Sequence, residues 1–130
     1  MPLSRKNISS NTKWEEIVGY SRAVRVGNFI EVSGTTSIDG EKVIGIGDAY
    51  TQTKFILQKI SKALTEAGAS LKDVIRTRIF VTDISIFEDV AKAHNAVFKE
   101  IKPATSLVEI KSLVHPDMLV EIEATAIVGD

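Results

Sequence analysis

Only two stretches of this chain repeat their apolar residues with a helical period, and strand-like segments surround them on both sides. From Ala49 to Ala67 the residues Ile56, Leu57, Ile60, Ala63, Leu64 and Ala67 recur at three- and four-residue steps. Asp48 can cap the start of this helix, and Gly68 stands where a C-terminal cap belongs. The second helix is predicted to start at Ser85, paired with Glu88 in a capping box, and to end before Pro103. Its apolar stripe reads Phe87, Val90, Ala91, His94, Val97, Phe98 and Ile101.

The strands follow from alternation and turn residues. Ala23, Val24 and Val26 precede a Gly27-Asn28 turn, with Phe29, Ile30 and Val32 after it, which predicts a hairpin over Arg22 to Thr35. The glycines at 40, 45 and 47 make Ser37 to Gly47 a loop with room for a short edge strand through Lys42 to Ile44. Ser70 and Asp73 have capping-box spacing for a short turn. A strand from Val74 to Val81 then places Ile75, Thr77, Ile79 and Val81 on one face, with Val74, Arg76, Arg78 and Phe80 on the other. Thr105 to Ile110 and Met118 to Val128 complete the set, around a loop holding His115-Pro116-Asp117. The order is β-β-α-β-α-β-β, with Ile17 and Val43 as candidates for one more strand.

Two helices can blanket only one face of a largely antiparallel sheet, so the other face needs a different cover. In the last strand Val120, Ile122, Ala124 and Ala126 suit the helices, while Leu119, Glu121, Glu123, Thr125 and Ile127 make a mixed face suited to a subunit interface with a polar cleft. The expectation is one α+β domain over residues 1–130, with helices on one face of the sheet and further copies of the chain against the other.

Composition narrows the function. A formal net charge of −1 and few aromatics offer polyanions neither a positive field nor a stacking surface, so nucleic acid is not an expected partner. The chain has no cysteine, and His94 and His115 lack a shared ligand spacing, so no metal site is expected. No Gly-Lys-Ser/Thr element follows the loop glycines, and no cofactor is expected. No apolar run of signal-peptide or membrane-spanning length occurs, which predicts a cytoplasmic protein without a membrane partner.

Several segments carry a family resemblance. Gly19-Tyr20-Ser21-Arg22-Ala23-Val24-Arg25-Val26-Gly27-Asn28 and Val32-Ser33-Gly34 resemble the N-terminal signature of the Rid family, the reactive intermediate deaminases also called YjgF-like or L-PSP endoribonuclease-like. Gln52-Thr53, Ala67-Gly68-Ala69-Ser70, Asp73-Val74, Phe80-Val81-Thr82-Asp83, Pro103-Ala104 and Val120-Glu121-Ile122-Glu123-Ala124 follow in the family's order. The resemblance implies a chorismate-mutase-like fold and a homotrimer with small-molecule clefts between subunits. It also implies hydrolysis of enamines and imines such as 2-aminoacrylate, with Glu121 as the catalytic carboxylate and Tyr20 and Ser33 as substrate-binding residues.

The family's arginine after Pro-Ala is replaced here by Thr105, whose neutral hydroxyl can touch a substrate but cannot pair with its carboxylate. The chain therefore resembles branches without that arginine, and weak or no activity on 2-aminoacrylate is expected. If imino-acid chemistry persists, Arg22 or Arg25 is the cation left to hold a carboxylate. Structural roles compete with each of these assignments. Glu121 and Glu123 could pair with Arg76 and Arg78, Tyr20 could fill an interface, and the hydroxyls of Ser33 and Thr105 could serve nearby backbone. A non-catalytic ligand-binding or regulatory trimer is the alternative to a deaminase, and an endoribonuclease or translation inhibitor is a third reading.

Overall fold

The computed structural model describes residues 3–129. Strands β1 (Arg5–Ile8), β2 (Ala23–Val26), β3 (Phe29–Thr35), β6 (Val74–Val81), β7 (Ala104–Glu109) and β8 (Val120–Ile127) form a six-stranded sheet in the order β1-β2-β3-β8-β6-β7. Every neighbouring pair is antiparallel except β6 and β7. A parallel pair needs a crossover, and helix α3 (Phe87–Phe98) supplies it. Helix α2 (Ala49–Glu66) packs beside α3 and against β3 and β8. The expected α+β architecture, a mostly antiparallel sheet with two main helices on one face, is the one found.

The core lies between this helical layer and the sheet. Ile56, Leu57, Ile60 and Leu64 from α2 meet Ile30, Val120 and Ile122, all buried essentially completely. Removing each such side chain from water contributes about 1.5–3 kcal/mol before the entropy of ordering is subtracted. In the last strand Val120, Ile122, Ala124 and Ala126 are buried as the alternation predicts and Ile127 is exposed, but Thr125, expected on the uncovered face, is buried as well, with its hydroxyl donating to the Glu31 carboxylate. No helix among the described residues is long and apolar enough to cross a membrane.

The structure departs from the local expectations in several places. Strand β1 went unseen, because Ile8 is its only buried residue and nothing alternates around it. A short helix, α1 (Lys13–Val18), takes the place of a strand at Ile17 and ends at Gly19, whose φ of 85° suits glycine. Its Glu15 carboxylate accepts hydrogen bonds from the Ser9, Ser10 and Thr12 hydroxyls, a local closure that favours a helical turn over a strand. The short strand expected through Lys42 to Ile44 does form, as β5 (Lys42–Val43), but it pairs with β4 (Ile38–Asp39) in a separate ribbon and not with the main sheet.

In β6 the pairing with β8 shifts between Val74 and Arg76, where two β6 positions are passed for one on β8. This bulge turns Ile75 outward and puts Val74 in the core with Thr77, Ile79 and Val81. Finally, the segment leading into α3 is capped by Asp83, which accepts from the Ser85 amide, and a 3₁₀ turn over Ile84–Ile86 precedes the helix. The proposed Ser85–Glu88 box is absent, and Phe87 is half exposed instead of joining the stripe.

Candidate active site

A second bulge builds the centre of the site. Between Val32 and Thr35, β3 advances three residues while its partner β8 advances two, from Ala124 to Ile122. The extra residue lies in the Ser33-Gly34 step, and bulges of this kind re-aim side chains at strand ends. Gly34 here receives the Glu121 side chain directly. A Cβ at position 34 would lie 2.6 Å from Glu121 Oε2 and 2.9 Å from its Cδ. The blocking atoms end a flexible side chain, so Gly34→Ala should displace the carboxylate without disturbing the sheet. Turnover of any substrate processed at Glu121 should fall about 10- to 100-fold, because displacements near 1 Å have effects of that order. Melting and steady-state kinetics of the variant check this, and unchanged kinetics would show that the Glu121 position is uncritical.

Glu121 opens on a cavity of about 200 Å³. Its polar side carries Tyr20, Arg22, Thr36 and Lys59 besides Glu121. Trp14, Val18, Ile38, Val114 and Met118 supply the apolar side. Burial pushes the Glu121 carboxyl above its usual 4.5, the Glu123 carboxylate adds to that rise, and the Arg22 guanidinium opposes it. Burial likewise lowers the Lys59 ammonium to about 8, helped by repulsion from Arg22 and opposed by Asp39. Lys59 Nζ donates to the Thr36 and Ile38 carbonyls, both at 2.9 Å. Arg22 Nη1 donates to the Gly34 carbonyl at 3.1 Å and to Thr35 Oγ1 at 2.8 Å, and its guanidinium lies 5.7 Å from the centre of the Tyr20 ring.

The residues singled out from sequence do not all converge within one chain. Tyr20 and Glu121 share the cavity. Ser33 lies beside it on the bulge, and its hydroxyl donates to the Ser21 carbonyl at 2.7 Å. Thr105 lines a different hollow, beside α3, with His94, Phe98 and Leu107. Its hydroxyl donates to the Pro103 carbonyl at 3.2 Å and lies 2.8 Å from Thr77 Oγ1, which in turn lies 3.0 Å from His94 Nε2. This chain ties β7 to β6 and α3. Burial lowers the His94 pKa, as befits a neutral core imidazole.

The ion pair anticipated for the acidic face belongs to Glu123, which meets Arg78 at 3.7 Å across the strands. Of the two alternative cations, Arg22 faces the cavity, whereas Arg25 is engaged by the Gly27 and Ala67 carbonyls. No group of three or more His, Asp or Glu residues arranged to hold a metal ion occurs among the described residues.

Sequence reasoning missed Lys59 and the part played by Gly34. Lys59 precedes the core residue Ile60 on α2, and no periodicity separates a lysine bordering a cavity from one in solvent. Gly34 carried only a weak signal, a glycine inside a strand pattern, which often marks a bulge or a close approach.

Comparison with known proteins agrees with this architecture. The family model described as Endoribonuclease L-PSP matches residues 11–128. A RutC family protein of Pyrococcus abyssi is 42% identical, over 82% of this chain and 84% of its own. The 3-aminoacrylate deaminase RutC of Acinetobacter baylyi is 36% identical, over 82% of this chain and 85% of its own. Among solved structures, a YjgF/YER057c/UK114 family member from Mycobacterium tuberculosis aligns with a TM-score of 0.86 at 47% identity, covering 96% of this chain and 100% of that one. The YjgF gene product of E. coli aligns with a TM-score of 0.81 at 30% identity, covering 94% and 98%. With the bulged sheet, the helical layer and these similarities together, the chain belongs to the Endoribonuclease L-PSP family, the YjgF group of proteins.

Proposed function

We propose that the protein is a small-molecule deaminase that hydrolyses an enamine or imine in the cavity beside Glu121. The observation that carries this reading is a desolvated carboxylate of raised pKa facing a cavity of roughly metabolite size. An enamine first tautomerises to its imine. Water adds to the imine carbon while Glu121 takes one of the water's protons and passes it to the nitrogen, giving a carbinolamine; the carboxylate then moves the carbinolamine's hydroxyl proton to the nitrogen as the carbon–nitrogen bond breaks, leaving a carbonyl, ammonia and the carboxylate restored. Tyr20 offers a hydroxyl and an aromatic wall at the same place. A RutC relative named as a 3-aminoacrylate deaminase supports the reaction class, and a cavity this small favours a metabolite over an RNA chain.

The working unit in this reading is a homotrimer in the cytoplasm. The exposed β7 edge and the outer face of β8, where Ile127 is exposed, give a neighbouring subunit surface to cover. Thr105 and Ser33 would then contribute from the cleft walls as substrate contacts. The neutral Thr105 hydroxyl, already engaged by Thr77 and Pro103, predicts weak hydrolysis of 2-aminoacrylate.

Two measurements test the proposal. Sedimentation at micromolar concentration should give a particle of three chains, and a persistent monomer would remove the intersubunit cleft. Ammonia release should then be followed with a panel of freshly generated imines and enamines, 2-aminoacrylate among them, corrected for spontaneous hydrolysis. Turnover of at least one member is expected, with 2-aminoacrylate slow. Ligand-dependent melting without ammonia from any member would favour a binding or regulatory trimer instead.

A further inference from the structure

The hydrolysis proposed above leaves one amine unused. Lys59 stands half-buried on α2, on the wall of the same cavity, where the chain between β3 and β4 passes it. Its Nζ donates to the Thr36 and Ile38 carbonyls, each at 2.9 Å. An ammonium has three N–H groups, and these two bonds occupy two of them. Losing the third proton therefore costs no bond to a described residue and leaves a lone pair in that position. Burial favours the loss and the Arg22 guanidinium adds to it, so the Lys59 pKa falls to about 8 against the opposing Asp39 carboxylate. The charged groups facing Lys59 are Arg22 ahead of β2, Asp39 of β4, Glu121 of β8, and Lys62 and Glu66 on α2 itself. Desolvation beside a second cation is the setting in which a lysine becomes a nucleophile towards carbonyl carbon.

We infer that Lys59 is an imine-forming nucleophile, and that it takes up a small neutral aldehyde or ketone as a covalent Schiff base on its Nζ. The lone pair adds to the carbonyl carbon while the carbon–oxygen π pair moves to oxygen, and a proton passes from the nitrogen to that oxygen, giving a carbinolamine. Glu121, the one acidic residue lining the cavity, then gives its proton to the carbinolamine hydroxyl. The hydroxyl leaves as water while the nitrogen pair closes the carbon–nitrogen double bond. The products are an iminium, a Glu121 carboxylate of opposite charge and one water. The iminium keeps one N–H for one of the two backbone carbonyls. Trp14, Val18, Val114 and Met118 make the opposite wall apolar, which disfavours the return of water. This activity goes beyond the deaminase reading and stands apart from it, because the ligand needs no nitrogen of its own.

Reductive trapping on the natural protein tests this. The probe is 3-methylbutanal with cyanoborohydride, which reduces an iminium to a stable amine, and peptide mapping by mass spectrometry separates Lys59 from the other lysines and from the α-amino group of the chain. At pH 7 Lys59 should be labelled about 30-fold faster than Lys54 and Lys62, exposed lysines of the same helix. Relative to an ordinary lysine its neutral fraction is about 300-fold larger, and its lower basicity takes back about tenfold. The advantage should shrink above about pH 8, where Lys59 is already neutral while an ordinary lysine still gains. Glu121→Gln should slow the Lys59 adduct about 10-fold and leave those at Lys54 and Lys62 untouched. Labelling of Lys59 no faster than that of Lys54 and Lys62 in the natural protein at pH 7 would overturn the inference, and that comparison needs no variant to fold. Fast trapping at Lys59 without ammonia release from any imine would uphold the nucleophile and refute the deaminase reading. Ammonia release with Lys59 unlabelled would do the reverse.

Discussion

Glu121→Gln is expected to abolish hydrolysis while leaving the fold and the assembly intact, with turnover falling about 100-fold or more. The amide keeps the shape that fits against Gly34 but cannot take a proton from water. Stability should not suffer. The fold raises the Glu121 pKa above 4.5, so this residue's favourable contribution is present below the unfolded value and is lost as pH rises through the folded one. At pH 7 the natural carboxylate is held against that cost, and a neutral glutamine escapes it. Melting should therefore be equal or slightly higher for the variant at pH 7, while the proposed hydrolysis by the natural protein should decline on the acid side at a pH above 4.5. Rate measurements across pH, paired with melting curves, check both halves. Unchanged turnover in a folded Glu121→Gln would assign the carboxylate a structural role.

The largest stability effect is expected at Gln52, a fully buried amide on α2 that joins two loops across the molecule. Its Nε2 donates to the Gly45 carbonyl at 3.1 Å and to the Asp117 carbonyl at 2.8 Å, and its Oε1 accepts from the Leu119 amide at 2.9 Å. Gln52→Leu would strand three backbone groups, and at about 1–3 kcal/mol for each unsatisfied group the loss should reach about 3–5 kcal/mol. For a chain of this length that corresponds to a Tm lower by about 10–15 °C. Met118 lies between Asp117 and Leu119, so ligand affinity should weaken together with stability. Gln58→Leu, at an exposed position on the same helix, should change stability by about 0.5 kcal/mol or less. Thermal melting of the two variants decides the point, and a fall of under about 3 °C for Gln52→Leu would mean that the loops find other partners.

The helices, the Ala23–Thr35 hairpin and the two faces of β8 were legible because each is a local pattern carried by consecutive side chains. The repeat in α2 reports which side meets the sheet, and the alternation in β8 separates core from outer face. Where one residue breaks the period, that logic fails. The bulge at Ile75 exchanged the faces at the start of β6, and the hydrogen bonds of Glu15 turned an anticipated strand into a helix. The family segments pointed to Tyr20 and Glu121, which the fold brings into one cavity, and to Ser33 and Thr105, which it does not.

By itself the sequence determined the class of fold, one helical layer on one sheet face, because hydrophobic period and capping are short-range properties that each segment carries alone. It also determined that Glu121 lies on the face turned from the helices. Only the tertiary structure decided which charges meet there. Arg22 from the start of the hairpin, Lys59 from α2 and Glu121 from β8 are far apart in the chain, and no local period encodes their distance. Removal from water in a cavity bounded by α1 and the loop carrying Met118, together with the neighbouring charges, gives Lys59 and Glu121 their altered proton affinities. Those affinities depend on the dielectric and the neighbouring charges that packing creates, which is why they belong to the fold and not to the string of residues.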